Sequence, residues 1–255
     1  MTKKRIATLA TCLALVGAVA VGGTLALLTS QTEDLKNTFA VGDGYDVTPG
    51  KPDFILQEDI VKQGTNGDYV KDTGLTPDGQ NYDNLVSNST LHKNPFFTLR
   101  DANEDGTTPP ESWVVAKLDQ ADIAAMAAQN ITFAADSAST GWYLVTATSA
   151  DEGKTWTYAK AEAGLNAAAL NTLQADSTTT KYYFVYNQKL NVTNNATTAP
   201  LFTKLSVGAV DSETVNTELD VYGVAVQAIE GSTLEANLNQ IVGAAAPLLD
   251  AAVKG

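Results

Sequence analysis

Hydrophobic positions along this chain fall into three patterns. Residues 6–21 form an almost unbroken run of apolar and small residues. After it, apolar residues come mostly in short runs or at every second position, divided by Gly, Asn, Asp and Pro clusters, and this predicts strands and turns. Residues 38–42 predict a first short strand, and Phe54-Ile55-Leu56 and Tyr69-Val70 predict two more. These two lie in a stretch, 42–84, rich in Gly, Asp, Pro and Asn and suited to long surface loops. Residues 95–99 and 112–118 flank an acidic loop and predict a hairpin. Residues 142–147 and 155–159 predict a second, turned by Asp151-Glu152-Gly153-Lys154. Lys181-Tyr182-Tyr183-Phe184-Val185-Tyr186 is the clearest strand, and a polar loop follows it over 187–199. Residues 201–207 and 221–229 alternate as half-buried strands do.

Helical spacing is rarer. Residues 122–129 are Ala-rich, with Asp119 or Asp122 as N-cap, and 161–173 predict another short helix that Gly164 weakens. Leu234, Leu238, Ile241 and Val242 form a stripe behind a Ser232 or Thr233 cap, with Glu235 in the first turn. Pro247 is expected to kink or end that helix. The expected fold is mostly β: a jelly-roll-like β-sandwich with a few short helices and a C-terminal helix, preceded by an N-terminal signal helix.

The first apolar run changes how the rest is counted. Lys3, Lys4 and Arg5 precede it, and Gly22, Gly23, Thr24 and Ala26 close it with small residues, the order of a secretory signal. An anchoring span is the alternative, since residues 6–28 are long enough to cross a bilayer. The small residues favour cleavage between Ala26 and Leu27, which divides the chain into a signal peptide (1–26), an amino-terminal arm (27–41) and one domain (42–255). The protein is then secreted, to the extracellular matrix or cell surface, and meets membrane only before cleavage.

The whole chain carries 16 basic and 29 acidic residues, net −13, and losing the three basic residues of the signal makes it −16. Such a charge repels nucleic acid and anionic lipid. It also repels second copies, so self-association must be short-range and apolar or helped by salt, acid or cations. The single cysteine, Cys12, lies in the signal, so no disulfide is available to the mature chain. No Leu-Pro-x-Thr-Gly sorting signal occurs.

Catalytic chemistry finds little to work with. His92 is the only histidine, so the His-Glu-x-x-His zinc motif is impossible, and no Gly-x-Ser-x-Gly elbow accompanies His92. No P-loop or dinucleotide fingerprint occurs. His92 reads as a surface or strand-edge residue, and the expectation is a protein with no catalytic residues and no cofactor. One local pattern suggests a cation. Asp101, Asn103 and Asp105, followed by Gly106, match the first half of a calcium loop. The second half departs from it: Ser112 stands at the twelfth position, Glu111 comes one early, and Pro109-Pro110 oppose a following helix. A solvated acidic loop is the plainer reading, with a non-helical calcium loop as the alternative. Tyr182, Tyr183, Phe184 and Tyr186 invite comparison with a sugar-stacking platform, though strand packing explains their alternation more simply.

Several segments, in order, resemble one family. Gly22-Gly23-Thr24-Leu25-Ala26, residues 29–38 and then Phe39-Ala40-Val41-Gly42-Asp43 resemble a SipW-type signal peptide and first mature strand. His92-Lys93-Asn94-Pro95, Trp113-Val114-Val115-Ala116-Lys117, Tyr182-Tyr183-Phe184-Val185-Tyr186, Thr197-Thr198-Ala199-Pro200-Leu201-Phe202 and Val224-Ala225-Val226-Gln227-Ala228 continue the likeness to the TasA/camelysin family of Gram-positive biofilm matrix proteins. The resemblance implies a jelly-roll sandwich, processing by a SipW-type signal peptidase, and head-to-tail fibres built by donor-strand complementation. Partners would be further copies of the chain or a related fibre subunit. The donor residues would be Leu27, Leu28, Leu35 and Phe39. Leu27-Leu28 departs from the aromatic common in the family, and the 42–84 stretch looks expanded, which leaves room for an accessory role. The rival expectations are a monomeric surface adhesin or calcium- or carbohydrate-binding module, and, further off, a secreted hydrolase.

Overall fold

The middle of the sequence holds its most apolar strands, and the chain buries them on both faces. The computed structural model describes residues 29–33, 36–39, 53–77, 80–101, 108–210 and 218–253, with 29–33 and 36–39 described as backbone. Among them are thirteen strands: β1 (Thr29–Glu33), β2 (Lys36–Phe39), β3 (Phe54–Gln63), β4 (Tyr69–Thr76), β5 (Thr90–His92), β6 (Phe96–Leu99), β7 (Ser112–Leu118), β8 (Ile131–Phe133), β9 (Trp142–Thr148), β10 (Thr157–Lys160), β11 (Thr180–Tyr186), β12 (Lys204–Val207) and β13 (Val221–Gln227). Three helices accompany them: α1 (Gln120–Ala128), α2 (Ala167–Asn171) and α3 (Leu234–Ala252).

The strands form two sheets, ordered β10-β9-β11-β7-β13-β1-β2 and β6-β3-β4-β5-β12-β8. Pairing is antiparallel except between β4 and β5. Period-two alternation assigns each face. In β7, Val114, Ala116 and Leu118 face the second sheet, together with Phe184 of β11 and Ala225 of β13. Trp113 and Val115 point the other way, with Tyr183, Val185, Tyr222, Val224 and Val226, onto the apolar stripe of α3. The molecule is thus a jelly-roll-like β-sandwich with α3 as a third layer. Between the sheets, rings run in a chain: Phe54 stacks on Phe97 at 5.5 Å, Phe97 meets Trp142 at 6.0 Å, and Trp142 meets Tyr186 at 5.2 Å.

Local signals set the helix starts. Asp119 caps α1 by accepting from the Ala121 amide at 2.7 Å, Asn166 caps α2 through Ala169 at 3.0 Å, and Thr233 caps α3 through Ala236 at 3.4 Å. The hairpin predicted near Asp151 is present as β9–β10.

Four expectations are corrected. Residues 95–99 and 112–118 do not pair: β6 joins β3 at the rim of one sheet, while β7 joins β11 and β13 at the centre of the other. Both strands are apolar enough to be buried, and the connection between them crosses from sheet to sheet. The 42–84 stretch is not chiefly loop, because β3 and β4 are ten and eight residues long and pair with each other around an irregularity between Asp59 and Val61. Pro247 does not end α3, which continues to Ala252. His92 is not at a sheet edge, since β5 lies between β4 and β12. Strand packing, the plainer reading of the aromatic run of β11, holds: Tyr183, Phe184 and Tyr186 are buried.

Candidate functional site: the amino-terminal arm and its seat

The feature most directly tied to the expected mechanism is the amino-terminal arm. Its first described stretch, β1, pairs antiparallel with β13, Thr29 opposite Val226, Ser30 opposite Ala225 and Gln31 opposite Val224. It then turns back as β2, which places Phe39 opposite Ser30. A first strand predicted at 38–42 is therefore replaced by a two-stranded unit over 29–39, with residues 40–42 outside the described residues. In this single chain the arm completes its own sheet, with β1 as an interior strand and β2 at the edge. β1 also passes close to α3 and β3.

What lies under the arm is unusual for a sheet edge. Val224, Ala225 and Val226 of β13 are at most 4% exposed. Without β1 their backbone donors and acceptors would be open between two apolar layers, a ready template for another strand. Ala26, Leu27, Leu28 and Leu35 lie outside the described residues, so the predicted anchors reduce to the backbone position of Phe39 in β2.

Two polar clusters escaped the sequence reading. In the first, Lys117 of β7, 1% exposed, contacts Asp176 and lies 2.7 Å from Asp250 Oδ1 of α3. Asp250 also pairs with Lys181 and accepts from the Tyr183 hydroxyl at 2.9 Å. Burial opposes ionisation of Asp250, but hydrogen bonds from Lys117 and Lys181 outweigh it and hold the carboxyl below its usual range. Burial, with Asp250 alongside, pushes the Tyr183 phenol well up. The cluster ties α3 to the centre of the seven-stranded sheet. One signal for it was present: Lys117 shares its period-two face with Trp113 and Val115, so it had to be buried with a partner.

The second cluster surrounds Asp59 in β3. His92 Nε2 lies 2.8 Å from Asp59 Oδ2, Lys71 Nζ is 2.8 Å from Oδ1, and the Asn94 amide donates at 3.0 Å. Burial raises the Asp59 carboxyl, and the bonds from Lys71 and His92 bring it below its ordinary value. Among the described residues no serine, threonine or cysteine side chain hydrogen-bonds to His92, whose ring nitrogen meets Asp59. The cluster joins β3, β4 and β5.

The acidic loop is only partly described. Asp101 is half-buried, while Asn103 and Asp105 lie outside the described residues. Among the described residues no group of three or more His, Cys, Asp or Glu side chains could hold a metal ion. No described helix is long and apolar enough to cross a membrane.

No known family, curated protein or solved structure matches the chain. The likeness to the TasA/camelysin family therefore rests on the sequence segments that carry it.

Proposed function

We propose that this chain is an exported structural subunit of extracellular fibres, major or accessory, whose arm leaves its own seat and completes the β13 edge of a neighbouring copy. The observation that carries the reading is the position of β1. Once the signal is removed it is a terminal segment joined to the domain at one end only, and it fills an interior place beside β13, whose Val224, Ala225 and Val226 are buried. Exchange between identical copies makes the same backbone pairs and buries the same surfaces, so little is lost by swapping. Each exchange leaves one arm free and one edge filled in the head-to-tail sense, which does not close and gives a filament. Strand addition satisfies main-chain groups without needing charge complementarity, which suits a chain of strongly acidic composition. The partners are further copies or a related subunit, after a signal peptidase has freed Leu27.

A second reading has its own support. In one copy the arm already pairs with β13, and a closed monomer leaves that edge satisfied. Such a monomer fits a surface adhesin or a module for calcium or carbohydrate. Electron microscopy of protein beginning at Leu27, beside protein beginning at Val41, separates the two. Fibres from the first alone support arm exchange. Monomers from the first at every concentration overturn it and favour the adhesin.

A further inference from the structure

Among the described charged residues none is more deeply buried than Lys117. Its Nζ sits 5.3 Å from the centre of the Tyr183 ring and touches two carboxylates from different parts of the chain. One is Asp250 of α3; the other is Asp176, in the connection between α2 and β11. The two are not equivalent. Asp250 also receives Lys181 and the Tyr183 hydroxyl. Asp176 is more open, with its side chain 27% exposed. It precedes a tight turn in which the Thr180 amide donates to Ser177 Oγ at 2.8 Å and the Ser177 amide donates to the Thr180 carbonyl at 3.0 Å. An ammonium in such apolar surroundings is costly, and passing its proton to a touching carboxylate removes both charges. What results is a desolvated amine, which is a nucleophile, held against a carboxylic acid. Fixed contact of this kind replaces a bimolecular encounter.

We propose that Lys117 and Asp176 join in an intramolecular amide bond, with Asp250 as the catalytic carboxylate. The Lys117 ammonium gives one proton to the Asp176 carboxylate, leaving an amine and an acid. The Nζ lone pair then attacks Asp176 Cγ and forms the N–C bond. Asp250 takes a proton from Nζ and returns it to the departing hydroxyl, so the C–O bond breaks and water leaves. In sum, one ammonium and one carboxylate become one amide and one water, with no oxidant, and Asp250 ends as it began. Asp250 suits that part: despite its burial, bonds from Lys117 and Lys181 hold its carboxyl below the ordinary value, so it stays a carboxylate. The exposed side of Asp176 gives the released water a way out. Afterwards Asp250 keeps Lys181 and the Tyr183 hydroxyl and accepts from the new amide N–H. The bond ties β7 to the chain just before β11 and closes a loop spanning 59 positions. With Cys12 as the single cysteine, no disulfide within the chain can do the same. The proposal involves neither the arm nor fibre assembly, so it stands or falls apart from the proposed function.

Mass spectrometry of the purified chain, denatured after folding, tests this whether the chain is full-length or processed. The intact mass should fall short of the sequence mass by one water. Digestion with trypsin should give a branched peptide that joins Lys117 to Asp176 and is uncut after Lys117. A full sequence mass overturns the proposal, as does a missing water located within a linear peptide, which is the mark of a succinimide. A branch from Lys117 to Asp250 overturns the assignment of the two carboxylates. Asp250→Asn should restore the full mass, and a variant that still loses water would remove Asp250 from the reaction. The measurements on the unaltered chain decide whether the bond exists even where that variant does not fold.

Discussion

Single residues in this molecule are constrained mostly by what faces them across the sandwich. Gly223 of β13 lies against the Phe97 ring, where an added Cβ would come within 2.0 Å of Phe97 Cε1. Phe97 is itself held between Phe54 and Trp142, so it has no free direction in which to move. Gly223→Ala should cost about 1–3 kcal/mol, read as a lowered urea midpoint with unchanged slope. Titration acts at the same scale, in two opposed directions. Burial, with Asp119, Asp220 and Glu218 nearby, pushes the Asp122 carboxyl up to about 6, against an ordinary 3.8. A carboxyl whose folded value is raised weakens the fold when ionised, so stability should rise as pH falls from above 6 toward 4. Asp250 has a depressed value, so its contribution is present above about 4 and disappears as pH drops further. Melting temperature should therefore peak in the mildly acid range, and Asp122→Asn should flatten the limb between pH 7 and 4 while leaving the acid limb. A limb unchanged by that substitution would refute the assignment.

At the scale of elements, the attachment of α3 to the sheet has an apolar part and an ionic part. Its apolar stripe covers Val115, Val185 and Val224, while Asp250 near its end meets Lys117 and Lys181. Removing one member of a buried pair strands the other, so Lys117→Met should cost about 3–5 kcal/mol. Lys117→Met combined with Asp250→Leu should recover part of that loss, since no carboxylate then remains buried at the helix end. Denaturant melts of both variants check this, and a double variant weaker than the single one would mean that the lysine acts through packing alone. Element scale is also where sequence legibility ran out first. Strands β7, β11 and β13 and helices α1 and α3 were readable from period, while the structure chose Asp119 over Asp122 and Thr233 over Ser232 as caps. The pairing of β6 and β7 was not, because a strand's pattern records which face is buried and says nothing of which strand lies beside it. The length of β3 and β4 was hidden by polar and charged residues on half-exposed faces, such as Lys62, Lys71 and Asp72.

For the whole molecule, the consequence lies in the arm. Cys12 is the single cysteine, and the proposed cleavage after Ala26 removes it. Ser30→Cys with Ala225→Cys, at facing positions of β1 and β13, therefore gives a clean tether. Facing residues of an antiparallel pair have Cα atoms about 4.5–5.5 Å apart, within reach of a disulfide. Oxidised protein should remain monomeric and reduced protein should form fibres, with sedimentation and electron microscopy as the readouts. Fibres that form equally well in oxidised, fully tethered protein would exclude exchange of the arm. Salt should hasten assembly, since copies carrying a large like charge must approach to within a Debye length of about 8–10 Å.

The order of residues by itself determined the class of fold, the candidate caps of α1 and α3 and the strands that had to be covered on two sides, because these depend on neighbours a few positions apart. It determined the acidic balance and the presence of a single histidine and a single cysteine for the same reason: both are properties of composition. Only the tertiary structure decided which strands meet, which carboxylates receive Lys117, and that β13 offers its buried edge to residues 29–33. Those choices join positions far apart in the chain, where pairing is selected by packing of whole layers and leaves no mark in any local window.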